Sequence, residues 1–161
     1  MTRRTKAACF HEAARAVARL VIGRKPERVS MRRNGTGPAE RPDRLVAVRG
    51  QYDIWDEILL LFAGPFAEAR VRKCKVAVLL PATRHEDCFD AETWLRWLVA
   101  HGFADDAHTA LLRAEAEVRL FLRTHWRTIE SVAEVLLDRG VVEADELTRI
   151  FRTIATTTDR W

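Results

Sequence analysis

The sequence predicts an α+β fold in which helices dominate and the sheet is small. Three observations predict it. Apolar residues recur at three- and four-residue spacing over long windows, most plainly from Val118 to Leu136. Only two short stretches alternate or cluster as strands do, one around Val29 and one at residues 45–48. At 161 residues, the chain has the length of one domain with a sizeable core. Apolar residues make up 48% and charged residues 31%, the balance of a globular chain rather than a disordered one.

In chain order, a first helix is expected over about residues 5–22. Ala8, Ala16 and Leu20 lie on its apolar stripe, and Gly23 supplies a stop. Residues 26–32 alternate apolar and polar, which predicts a strand, and the Asn34–Pro38 stretch is turn-rich. Residues 45–48 form a second strand expected to pair with the first. A second helix over about 52–72 contains Pro65, which removes one backbone donor and predicts a kink. Ala63, Gly64 and Ala67 beside it permit close approach of another backbone. Residues 75–80 are a short apolar run, either a strand or a packed connection.

A third helix is expected over 87–101, with Trp94, Leu95, Leu98 and Val99 on its buried side. Asp105 and Asp106 open a long helical region to about Arg139, with a bend placed near Thr124. Val118, Phe121, Leu122, Trp126, Ile129, Ala133 and Leu136 form its apolar face, and Gly140 ends it. A last helix turns Leu147, Ile150, Phe151 and Ile154 inward. Trp55, Trp94, Trp97 and Trp126 fall at helical spacing among apolar residues and read as core or partner-contact groups. With no repeat and no linker, residues 1–161 form a single unit.

Charge and cysteine usage narrow the classes further. The net charge is +4, and most of the excess lies in residues 24–49. There Arg24, Lys25, Arg28, Arg32, Arg33, Arg41, Arg44 and Arg49 face Glu27, Glu40 and Asp43. A nucleic-acid footprint would look like this. The segment holds no aromatic residue for base stacking, however, and solvated charge around a strand pair is the better reading. No apolar run approaches the length of a membrane span, and the basic N-terminus lacks a secretory core. Cys9, Cys74 and Cys88 are odd in number and not closely paired, which predicts reduced thiols and a cytoplasmic setting.

The stretch that carries chemistry is His11-Glu12-Ala13-Ala14-Arg15 on the first helix. Residues at i and i+4 share a helix face, so two histidines at that spacing can hold Zn²⁺ while the glutamate between them acts on bound water. Here Arg15 stands in the second place. A guanidinium has no lone pair to donate and stays charged. Read alone, the triplet is equally an exposed polar face with a Glu–Arg pair.

Further along, Ala63-Gly64-Pro65-Phe66-Ala67-Glu68, then Asp87 with Ala91, then His125-Trp126 with Ile129, Ala133, Leu136, Leu137 and Gly140 follow in order. Together with His11–Val17 they resemble the peptidase domain of the FtsH-type zinc metalloproteases, in the form of a small stand-alone relative without the ATPase. The resemblance covers nearly the whole chain. It implies a zincin-like part over about residues 1–103 and a C-terminal helical bundle over about 104–161. It also implies a zinc held by two histidines and an aspartate, with His11 and Asp87 at ligand positions and Glu12 as general base. Arg15 for the second histidine and Ala14 for a glycine depart from the family pattern.

Two readings of the site result. In the leading one, zinc and hydrolysis are lost, no cofactor is needed, and the fold serves binding or regulation with a protein or peptide partner. Arg15 then pairs with Asp87 where the metal would sit, with Glu12 as the next acceptor, because a carboxylate left without its cation is costly. In the other, a working zinc site is rebuilt with His85 or Cys88 beside His11 and Asp87. Nucleic-acid binding through residues 24–49 is the third and least supported reading, and self-association into a homo-oligomer stays open. Glu68 is either the partner that orients His11 or a surface carboxylate paired with Arg70 or Arg72. His101, His108 and His125 read as surface or core-edge residues.

Overall fold

A computed structural model describes residues 5–31, 51–75 and 86–158, without the side chains of 51–53, 86–92 and 156–158. Five helices and one two-stranded antiparallel sheet make up the described residues: α1 (Lys6–Val21), β1 (Val29–Ser30), α2 (Gln51–Arg72), α3 (Glu86–Ala100), α4 (Ala107–Arg139), β2 (Val141–Val142) and α5 (Ala144–Thr158). The helices begin and end where their capping chemistry dictates. Thr5 accepts a hydrogen bond from the amide of Ala8 at the start of α1, and Asp106 accepts one from the amide of Thr109 at the start of α4.

At the end of α1, Gly23 adopts φ +78°. The Gly23 amide donates to the Leu20 carbonyl and the Arg24 amide to that of Arg19. These two bonds define the left-handed helix stop that favours glycine. Gly140 ends α4 in the same left-handed conformation. The end of α2 makes the same pair of bonds, from Lys73 to Arg70 and from Cys74 to Ala69. Its left-handed residue is Lys73, at φ +55°.

α4 is the spine. Its 33 residues form one unbroken helix, about 50 Å long at 1.5 Å per residue, with no interruption at Thr124. Val118, Phe121, Leu122, Ile129, Ala133 and Leu136 are buried along it, as the spacing predicts. α1 packs against both α2 and α4, while α2 also touches α3 and α4, so all contribute to one continuous apolar core. Small residues make the α1–α2 contact close: Ala13, Ala14 and Ala18 on one side, Ala63 and Ala67 on the other, all fully buried. Trp126 ties three helices together. Its ring stacks on Phe10 of α1 at 5.2 Å, and the Arg70 guanidinium of α2 lies 3.8 Å over it.

The sheet differs from the expected one. β1 pairs with Val141–Val142, in the register Val29↔Val142 and Ser30↔Val141. The Met31 amide extends the pairing by donating to the Gly140 carbonyl. Residues 45–48, expected to partner β1, lie outside the described residues, as do 76–80. α2 runs through Pro65 without a break in its helix. In α3, Leu95 and Leu98 are buried, whereas Trp94 and Val99 are only half-buried. No helix among the described residues is long and apolar enough to cross a membrane.

Candidate functional site

His11 is the polar residue around which the α1–α2 contact is built. It is 6% exposed and Glu68 8%, and their side chains meet with Nδ1 3.1 Å from Oε2. An ionised carboxylate can only accept, so Nδ1 carries the hydrogen. In the neutral ring, Nε2 is then the nitrogen with the lone pair. The other carboxylate oxygen of Glu68, Oε1, accepts from Arg72 Nε at 2.8 Å. Glu68 thus does both things the sequence allowed: it orients His11, and it pairs with an arginine one turn along its own helix. Its pKa lies below the usual carboxylate range. The hydrogen bond from His11 is the chief cause, burial opposes it, and the Arg72 charge adds to it.

Gly64 makes this arrangement possible. A Cβ added there would lie 2.5 Å from His11 Nε2, 2.7 Å from Cδ2 and 2.8 Å from Cε1. Near-equal distances to three adjacent ring atoms place the glycine over the ring face, not along its edge. Gly64 and Glu68 are four residues apart and so share a face of α2. One gives the imidazole room and the other grips its Nδ1.

One turn further along α1, the helix face opens to a small cleft. Glu12, Arg15 and Arg19 line it together with Glu27, Arg28 and Ser30, around a cavity of about 100 Å³. Two ion pairs span its surroundings: Arg19 with Glu27 at 2.6 Å and Arg28 with Glu143 at 3.1 Å. Glu12 is half-buried and has no ion-pair partner among the described residues, Arg15 included. Asp87 lies in the first turn of α3. Its side chain, that of Cys88 and the whole of His85 lie outside the described residues, so the expected Arg15–Asp87 pair falls there too.

Zinc needs three protein donors around one point. Among the described residues no three His, Cys, Asp or Glu side chains form such a group. His11 offers one nitrogen at most, and Arg15 offers none. The described donor set therefore does not fit a catalytic zinc.

The remaining histidines stand apart from this site. His101 is exposed and its Nδ1 lies 2.9 Å from the Trp97 carbonyl oxygen. His108 is exposed. His125 is half-buried between Phe121 and Phe151, at 5.3 and 6.0 Å, and burial pushes its pKa down. In the basic segment, the described arginines are matched by acids, Arg24 by Glu57 and Arg28 by Glu143.

Sequence reasoning missed three features. They are Gly64 as the residue that seats the imidazole, Lys73 in a glycine conformation, and a second cavity at the end of α2. Only the first had a signal, the four-residue spacing of Gly64 and Glu68. No protein-family model matches the chain, and no curated protein matches it.

Proposed function

We propose that the chain is a zincin-like peptidase fold of the FtsH type that has given up zinc hydrolysis and serves as a binding or regulatory module for a protein or peptide partner. One observation carries this reading. His11 is gripped at Nδ1 by a buried carboxylate, which is how metal-binding histidines are commonly oriented. The residue one helical turn on is an arginine, which cannot ligate. The ligand-orienting partner thus persists beside a broken ligand set. Glu12 keeps the place of the general base without a metal-bound water to act upon. The zincin-like part would span about residues 1–103, the C-terminal helices would complete the domain, and the protein would work in the cytoplasm.

Metal analysis tests it directly. Protein purified without a metal-affinity tag is expected to carry far less than one zinc per chain, and casein should not be cleaved. Arg15→His restores the second imidazole, so added zinc should raise the melting temperature of that variant and not of the parent. Stoichiometric zinc in the parent, lost on Cys88→Ser or His85→Ala, would instead establish a rebuilt metal site. Hydrolysis of casein that disappears in Glu12→Gln would refute the loss of activity.

A further inference from the structure

A cavity of about 600 Å³ lies between the C-terminal end of α2 and the middle of α4. Its lining divides by chemistry. Phe66, Ala69 and Leu122 are buried residues that form an apolar floor. Arg70, Lys75 and Arg119 stand around it with a single acid, Glu115. Arg119 is already engaged by Glu115 at 3.2 Å. Arg70 and Lys75 have no acidic partner among the described residues, in contrast to Arg72, which Glu68 takes.

Arg70 is held ready. At 3.8 Å over the Trp126 ring, its guanidinium lies on the aromatic face, which leaves its in-plane N–H edge for a planar acceptor. Lys75 is brought to the rim by the turn at Lys73. That residue's left-handed conformation folds the chain back over the helix end, at a cost that glycine avoids at Gly23 and Gly140. The partial negative charge at the end of α2 disfavours an anion there, but it amounts to only about half a unit. Two unpaired cations outweigh it.

We propose that this pocket receives the C-terminal carboxylate of a peptide whose last residue has an apolar side chain. The side chain would lie on Phe66 and Leu122, and the carboxylate would bridge Arg70 and Lys75. Glu115 selects the class of anion: it can accept from a peptide N–H, and it repels a ligand carrying many charges, such as a nucleic-acid backbone. The site uses no residue of the Glu12 cleft, so the inference goes beyond the pseudopeptidase reading and does not depend on it.

The test is fluorescence anisotropy with a fluorescein-labelled hexapeptide ending in leucine, compared as free acid, C-terminal amide and serine-ended acid. The free acid should bind. Amidation should weaken it roughly tenfold or more, the scale of one charge-assisted hydrogen-bond pair, and the serine ending should weaken it too. Arg70→Gln should cause a similar loss. Lys75 is exposed, so Lys75→Gln guards against a folding artefact at Arg70, and an unchanged melting temperature certifies each variant. Equal binding of acid and amide would overturn the proposal. So would no binding up to about 1 mM peptide, insensitivity to both substitutions, or displacement of the peptide by a short oligothymidylate at equal concentration.

Discussion

His11 and His125 are both removed from water against apolar helix surfaces, yet the protein treats them in opposite ways. His11 has a carboxylate at hydrogen-bond distance, itself tied to an arginine, and a glycine cut away to seat its ring. His125 has phenyl rings on two sides, no hydrogen-bond partner among the described residues, and a pKa depressed by burial alone. A titratable group surrounded by tailored partners is a retained device. One surrounded only by rings is a polar residue tolerated at the core edge. The difference lies entirely in the neighbours, because both histidines sit on helices within apolar repeats.

The largest effect is expected at Gly64. In an ordinary helix interior, Gly→Ala stabilises by about 1 kcal/mol. At Gly64 the new methyl would collide with a ring that cannot retreat without losing Glu68. Gly64→Ala should therefore destabilise by about 3 kcal/mol, the upper range for overpacking. Urea denaturation measures it, and a stabilising result would show that the His11 seat is loose and dissolve the contrast with His125.

Glu68→Gln comes next, at about 2 kcal/mol, the scale of hydrogen bonds to a charged group. Its pH signature is more telling than its size. The folded pKa of Glu68 is below the ordinary value of 4.5. Its contribution is thus fully present above pH 4.5 and lost as pH falls through the depressed folded value. Stability of the parent should drop more steeply than that of Glu68→Gln below pH 4.5. Parallel curves would mean that the carboxylate is not coupled to folding.

His125→Phe is expected to be smaller and to act in a different window. A histidine with a lowered folded pKa costs stability once the unfolded chain takes up a proton that the folded chain refuses. That loss begins as pH falls through about 6.5 and ends at the lower folded value. The parent should lose stability in that window relative to His125→Phe, while the two agree near pH 8. If the phenylalanine variant is also less stable at pH 8, the imidazole has a partner after all.

Lys73→Gly should be the smallest change, a gain of roughly 0.5 kcal/mol. Relief of the left-handed strain is partly offset by the greater freedom of glycine in the unfolded chain. A loss of peptide binding with that gain would tie the strained turn to the α2–α4 pocket.

Helix limits were legible because their signals are local: Thr5 and Asp106 as caps, Gly23 and Gly140 as stops, and the apolar face from Val118 to Leu136. The His11–Glu68 contact was half-legible. The spacing of Gly64 and Glu68 put both on one face, but only packing against α1 shows which partner that face meets. The pairing of β1 with residues 141–142 was not legible. A two-residue strand has no period to read, and its register is set by elements distant in sequence. The pocket was hidden for a related reason. Arg70 and Lys75 look like the ordinary cations of a helix end until Trp126 and the turn at Lys73 position them.

The small β1–β2 pairing has a consequence for the order of events in folding. It joins segments roughly 110 residues apart, so the chain must close a very long loop before those few hydrogen bonds can form, and such contacts are the slow ones. The helix contacts α1–α2 and α2–α4 bring that loop's ends together beforehand. The sheet is then a latch that closes on an assembled body, absent from the transition state and first to open. Amide exchange at Met31, whose N–H donates to Gly140, should accordingly run far ahead of exchange in the middle of α4.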